Sequence, residues 1–215
     1  MSKKNRLHGL YVITDARLAA EQGLSTQVEA ALEGGASIVQ YRDKGKDRER
    51  KLDEAESLRR LTERHHALLI VNDDVELAHQ CGADGVHLGR DDMDLATARH
   101  RLGTEAIIGI SCYNRLELAL RASRLGADYI AFGRFFSSRS KPQAVQAEAH
   151  LLRKAREQLA LPLVAIGGIT PENGRQLIEA GADMLAVIHA VFGQPDIRQA
   201  CRRFQSLFTP EKETL

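Results

Sequence analysis

The sequence predicts an α/β fold, a single closed (β/α)8 barrel of the TIM-barrel kind, on two observations. Eight short apolar runs cross the chain, with helically spaced segments between them. A Gly-Ala triplet recurs ahead of every second run, so the chain reads as four copies of a two-unit module. The runs are Leu10–Thr14, Ile38–Tyr41, Ala67–Val71, Val86–Leu88, Ile107–Ile110, Tyr129–Phe132, Leu163–Ile166 and Met184–Ile188. Between them, Leu52, Ala55, Leu58 and Leu61, and then Leu116, Ala119, Leu120 and Ala122, carry the period of an amphipathic helix. The triplets are Gly35-Ala36-Ser37, Gly82-Ala83-Asp84, Gly126-Ala127-Asp128 and Gly181-Ala182-Asp183. Each places a glycine where a helix ends and a strand begins, a point that favours left-handed backbone. The competing fold, a doubly wound open sheet, requires a glycine fingerprint in its first turn, and none follows Leu10–Thr14.

Composition narrows the function classes. At 215 residues the chain is compact for such a barrel, and residues 1–215 read as one domain, with 1–8 and 209–215 expected to fray. A net charge of +1 gives no bulk attraction to nucleic acid or to a membrane surface. No apolar run approaches the roughly 20 residues of a membrane span, and the basic start Met1–Arg6 lacks the apolar stretch of a secretory signal. Cys81, Cys112 and Cys201 are odd in number and far apart, which suits reduced thiols in a cytoplasmic protein.

In a barrel of this kind chemistry gathers at the carboxyl ends of the strands. Along the second run Ile38, Gln40, Arg42 and Lys44 share one face, which turns from apolar to cationic as the strand ends. A buried charge is costly unless it is paired, so such a face suits a cleft that holds an anion. Ser137, Ser138, Ser140 and Lys141 add hydroxyls and a cation after the sixth run. Asp73 and Asp92 end neighbouring strands and can share one Mg²⁺, with phosphate oxygens and water completing the octahedron. Asp74 and Asp91 suit capping of the helices that follow, and capping explains any one of these four carboxylates taken singly. Gly167-Gly168 and Ile188-His189 follow the last two runs, where backbone N–H groups of such barrels hold phosphate. Two anion sites result, a metal-bound diphosphate and a monophosphate. His87, between Gly85 and Gly89, reads as an inward, satisfied histidine. His65-His66 suits a helix C-terminus, and Arg48–Arg64 reads as a solvated helix face.

These residues resemble the thiamine phosphate synthase family. Gln40-Tyr41-Arg42-Asp43-Lys44 matches its Q-x-R-x-K element; Asn72-Asp73, the run Gly85–Asp92 and Ser111 follow in order. Gly133–Lys141 is similar to G-P-x-F-P-T-x-T-K, Gly167-Gly168-Ile169 to G-G-I, and Val187–Ala190 to V-[IV]-S-A. The resemblance implies a transferase that joins 4-amino-2-methyl-5-hydroxymethylpyrimidine diphosphate to thiazole phosphate, releasing diphosphate. It implies that Gln40, Tyr41, Arg42, Asp43, Lys44, Asn72, Ser111 and Lys141 hold the pyrimidine diphosphate, with Arg42, Lys44, Ser111 and Lys141 carrying the catalysis. It assigns Asp73 and Asp92 to one Mg²⁺ per subunit. Ser138, Arg139, Ser140, Gly167, Gly168, Ile188 and His189 then surround the thiazole phosphate. Arg134 and Ser137 stand where the family pattern has proline, and His189 where it has serine, so the sixth loop is expected to be less rigid. Two rivals are a thiazole tautomerase relative, which needs no metal carboxylates, and a non-catalytic phosphate-ligand sensor, which needs no leaving-group cations.

Overall fold

A computed structural model describes residues 3–19, 23–137 and 146–209. Eight strands, β1 Gly9–Ile13, β2 Ile38–Tyr41, β3 Leu68–Asn72, β4 Gly85–Leu88, β5 Ile107–Tyr113, β6 Tyr129–Gly133, β7 Leu163–Ile166 and β8 Met184–Val187, close in sequence order into one barrel. Every neighbouring pair is parallel, and β8 returns to β1 with Leu10 opposite Leu185. The helices that cover it are α1 Ala16–Ala19, α2 Leu24–Glu33, α3 Arg48–Arg64, α4 Val75–Gln80, α5 Leu95–Leu102, α6 Leu116–Arg124, α7 Ala149–Arg156, α8 Pro171–Glu179, α9 His189–Phe192 and α10 Ile197–Gln205. Strand five runs three residues beyond its apolar stretch, to Tyr113, through an irregular pairing with β6 between Ser111 and Tyr113. None of the helices is long and apolar enough to cross a membrane.

Period-two alternation sorts the strand residues into two cores. Tyr11, Ile13, Ile38, Leu68, Ile70, Ile107, Tyr129, Val164 and Met184 fill the barrel interior. Leu10, Val12, Val39, Tyr41, Leu69, Val71, Val86, Ile108 and Leu185 face outward against the helices. Along α3, the apolar positions Ala55, Leu58 and Leu61 are buried against the sheet, Asp53, Glu56, Arg60 and Glu63 are exposed, and Lys51, Glu54 and Arg59 are partly covered.

The Gly-Ala repeat does more than end helices. Gly35, Gly82, Gly126 and Gly181 take φ of 100°, 65°, 90° and 111°, and the alanine after each donates its N–H back into the helix, as Ala83 does to Ala78 O at 3.0 Å. In three copies the next residue is an aspartate whose carboxylate is clamped. Asp84 accepts from Leu69 N at 2.9 Å and Arg59 at 2.8 Å; Asp128 accepts from Ile108 N at 2.8 Å and Arg99 at 2.6 Å; Asp183 accepts from Leu163 N at 2.7 Å and pairs with Arg156. Each clamp ties an odd strand, the following even strand and the helix that precedes the odd strand together at the amino end of the barrel. In the first copy Ser37 takes the aspartate's place.

Residues 3–7 dock on that same end, against the expected fraying of residues 1–8; residues 1 and 2 lie outside the described residues. Lys3–Arg6 form a 3₁₀ turn, Lys3 pairs with Asp84 at 2.9 Å and Lys4 with Asp128 at 2.7 Å. Leu7 is buried with the barrel interior. At the other terminus residues 210–215 lie outside the described residues.

Candidate active site

A cavity of about 820 Å³ opens at the carboxyl ends of the strands. One wall carries Gln40 and Arg42 from β2 and its end, Asn72 from β3, His87 from β4 and Ser111 from β5. The other carries Gly133, Gly167, Gly168, Ile188 and His189. The face that runs from Ile38 through Gln40 to Arg42 therefore does turn inward. Thr14, buried at the end of β1, fixes its outer part: Thr14 Oγ1 accepts from Arg42 N at 2.8 Å.

Tyr41 and Asp43 do not join them. Alternation sends Tyr41 into the strand–helix layer, where its hydroxyl donates to Glu54 Oε2 at 2.6 Å. Asp43 turns to the start of α3, accepting from Arg50 at 2.7 Å and from Gly45 N. Both lie off the cavity wall, so their expected contact with substrate is corrected to a supporting role in the β2–α3 connection. Ser138, Arg139, Ser140 and Lys141 lie outside the described residues.

The two expected metal carboxylates are brought together. Asp73 sits one residue past Asn72 with φ of 63°, its N–H donating to His87 O at 2.8 Å. Asp92 is folded back so that Oδ2 accepts from Gly89 N at 2.7 Å. The carboxyl groups of Asp73 and Asp92 lie close enough to shift each other's titration, and Lys44 pairs with Asp73. Burial works to raise the Asp73 carboxyl, but the Lys44 ammonium, with help from the neighbouring Asp92, outweighs it and holds it below the usual carboxylate range. Burial and the neighbouring Asp73 push Asp92 above that range. Two neighbouring carboxylates, with a single ammonium paired to one and felt more weakly by the other, form an oxygen donor pair that fits a hard divalent ion. Among the described residues no group of three His, Cys, Asp or Glu side chains could enclose one, so such an ion would draw its remaining ligands from water and substrate.

The capping reading divides between the other two aspartates. Asp74 caps α4, accepting from Leu77 N at 3.0 Å. Asp91 does not cap α5; Asp94 does, accepting from Thr97 N at 3.0 Å.

Loops six and seven are built against each other. Gly167 and Gly168 take φ of 105° and 65°, and a Cβ on them would stand 2.2 Å from Arg134 Cβ and 2.3 Å from Ser137 O. Phe136 N donates to Gly167 O at 2.9 Å. The glycine pair thus answers to contact between the two loops. Below it, Thr170 and Asn173 form a capping box at the start of α8, with Thr170 N donating to Asn173 Oδ1 at 2.8 Å. Ile188 precedes the short α9, and His189 opens it. The His189 ring lies over Gly193, where a Cβ would approach Nδ1 to 2.3 Å.

Four tyrosine and arginine side chains in and below the cavity had no signal beyond apolar alternation or an ordinary loop charge. Tyr11 lines the floor and Tyr129 lies just beneath it, both wholly enclosed. Tyr113, at the end of β5, lines the wall with the Arg90 guanidinium 4.9 Å from its ring centre. His87 faces inward and is hydrogen-bonded on both ring nitrogens, as its spacing suggests, and it is also part of the cavity wall.

This geometry has relatives. A sequence model of the family described as thiamine monophosphate synthase matches residues 10–191. The thiamine-phosphate synthase of Nitrosococcus oceani is 52% identical over 202 residues, covering 94% of this chain and 93% of its own. That of Thioalkalivibrio sulfidiphilus is 52% identical over 203 residues, covering 94% and 96%. The solved thiamine phosphate pyrophosphorylase of Pyrococcus furiosus superposes with a TM-score of 0.85 at 39% identity, covering 95% of this chain and 96% of that one. With its family model matching residues 10–191 and relatives about half identical spanning its length, the chain belongs to the thiamine monophosphate synthase family.

Proposed function

We propose that the chain is a thiamine phosphate synthase, a transferase that condenses 4-amino-2-methyl-5-hydroxymethylpyrimidine diphosphate with thiazole phosphate. The observation that carries this reading is the Lys44–Asp73–Asp92 cluster at the strand ends, next in the chain to a cavity that Gln40, Arg42, Asn72 and Ser111 line. The bond between the pyrimidine methylene and the diphosphate oxygen breaks, and the electron pair leaves on the diphosphate. The thiazole nitrogen then gives its lone pair to the methylene carbon. No acid or base on the protein is required, so catalysis rests on positioning and on stabilising the leaving charge. Arg42, Lys44 and Lys141 hold the diphosphate, Arg42 through a planar fork and the lysines as point charges. Asp73 and Asp92 would hold one Mg²⁺, which would supply positive charge to offset that of the leaving diphosphate. Gly167, Gly168, Ile188 and His189, with Ser138, Arg139 and Ser140, surround the thiazole phosphate. The tautomerase-like rival leaves the Asp73–Asp92 pair without a task. The enzyme works in the cytoplasm on small phosphorylated molecules, a reading supported by its three buried, unpaired cysteines.

Purified protein mixed with both substrates and Mg²⁺ is expected to form thiamine phosphate and diphosphate in equal amounts, and to stop in EDTA. Asp73→Asn and Asp92→Asn should keep the wild-type melting temperature and lose about 2–4 kcal/mol of transition-state stabilisation, the scale of one preorganised charge. No thiamine phosphate from the wild type overturns the function. Near-normal turnover in EDTA overturns the metal.

A further inference from the structure

Beneath the cavity floor runs a continuous hydrogen-bonded chain across the barrel. Gln40 Nε2 donates to Tyr11 Oη at 2.8 Å, Tyr11 and Tyr129 hydroxyls meet at 2.9 Å, Tyr129 Oη meets His87 Nδ1 at 2.9 Å, and His87 Nε2 meets Ser111 Oγ at 2.8 Å. The strands pair in sequence order, so β2 and β5 lie three places apart in an eight-strand ring and Gln40 faces Ser111 across it. Gly109 makes the arrangement possible. It lies between His87 and Tyr129 in the register, and a Cβ there would stand 1.9 Å from the Tyr129 ring. The bare backbone lets the two rings stack, with centres 5.6 Å apart.

We propose that this chain is a one-way relay that fixes the hydrogen-bond polarity of the pyrimidine pocket, with Tyr11, Tyr129 and His87 as positioning residues. The direction follows from what each group can give. Gln40 spends an amide N–H on Tyr11, which leaves its Oε1 to serve the cavity as an acceptor in this reading. Tyr11 then gives its single proton to Tyr129, Tyr129 gives its own to His87 Nδ1, and His87 donates through Nε2 to Ser111 Oγ. Ser111 is left to donate into the cavity. Burial pushes both phenols well above their ordinary range, which keeps each supplied with its proton. One side of the pocket therefore asks the ligand for a donor and the opposite side for an acceptor. A 4-aminopyrimidine carries this pair on opposite corners of its ring, the exocyclic amine and N1. The relay can reverse only as a unit, by turning the Gln40 amide, both hydroxyls and the His87 tautomer together. A ligand with an acceptor in the amine's place is therefore opposed by every link at once.

The inference rests on reading this cavity as the pyrimidine site, and its test separates the two. The pyrimidine diphosphate and its 4-oxo counterpart, in which the exocyclic donor becomes an acceptor, are titrated calorimetrically into wild type and Tyr129→Phe, without thiazole phosphate. Wild type is expected to prefer the amino compound by on the order of tenfold or more, the effect of turning one buried hydrogen bond into an opposed pair. In Tyr129→Phe the Gln40 amide can turn without the histidine, so the preference should fall below about threefold. Loss of affinity for both compounds alike would mark Tyr129 as packing alone and overturn the relay, as would an unchanged preference. Equal binding of both compounds by wild type overturns the polarity. Uptake of neither overturns the pyrimidine reading beneath it. If Tyr129→Phe does not fold, Tyr11→Phe cuts the same chain one link earlier and must show the same loss of preference.

Discussion

His189 stands where the family pattern has serine, and its neighbourhood indicates what the exchange costs. The ring rests on Gly193, and the residue sits at the first position of α9, where the backbone N–H groups of Ile188, His189 and Ala190 lead a helix. An amide contact to a phosphate does not depend on side-chain identity. His189→Ser is therefore expected to leave the KM for thiazole phosphate within about twofold of wild type, below ~0.4 kcal/mol. Steady-state kinetics with thiazole phosphate varied at saturating pyrimidine diphosphate will check it, and a rise well beyond twofold would move the contact from the backbone to the ring. At this scale the sequence was informative where a residue type breaks its run. The step from Ile38 to Gln40 and Arg42 locates the cavity wall because polar and charged groups interrupt an apolar face. Tyr41 and Asp43 were misplaced because the family element was carried over whole, although alternation alone already turned Tyr41 to the opposite face. Tyr11 and Tyr129 were illegible for a different reason: a tyrosine in an inward position counts as core, and its hydroxyl's partner sits on a strand far away in sequence.

The repeating element is the Gly-Ala-Asp turn, and its aspartates carry more of the stability than its glycines suggest. Asp128 is 8% exposed and holds Ile108 N, Arg99 and Lys4 at once. Asp128→Ala leaves a buried amide and a largely covered guanidinium without their shared acceptor. Removing one partner of a buried pair costs about 3–5 kcal/mol, and in a chain of this size each kcal/mol lowers the melting temperature by roughly 2–4 °C. Thermal unfolding should show a drop of about 6–20 °C for Asp128→Ala, with the wild-type KM for both substrates retained in protein that remains folded. A shift of less than about 2 °C would mean that the clamp is decoration. The repeat itself was visible as a period in the chain, and it gave the strand count. The clamp was not, because each aspartate's arginine lies a full helix away and nothing local distinguishes Arg59, Arg99 or Arg156 from the surface arginines beside them.

Across the whole molecule the two ends of the barrel divide the work. The carboxyl end gathers the cavity, the cations and the Asp73–Asp92 pair, and the amino end gathers the three clamps and the N-terminal turn. Burial decides which parts of that turn matter. Lys3 and Lys4 keep 47% and 41% of their side chains in solvent, so their pairs with Asp84 and Asp128 belong to the screened class worth about 0.2–1 kcal/mol each. Leu7 is 4% exposed and packs with Ile38, Leu68, Ile107 and Met184 inside the barrel. Truncating it leaves a cavity at the foot of the interior, for which buried leucines typically lose about 2–5 kcal/mol. Leu7→Ala is therefore expected to lower the melting temperature by roughly 4–20 °C. The double change Lys3→Ala, Lys4→Ala should lower it by no more than about 8 °C, an effect that shrinks as salt is added. Neither change should alter kcat in folded protein, since both act at the end opposite the chemistry. Calorimetric melts of the two variants at low and high salt, paired with turnover at a temperature where both are folded, check the whole argument. A lysine pair that outweighs Leu7, or a kcat that falls with either variant, would show that the amino end is coupled to the active face and does more than close the foot of the barrel.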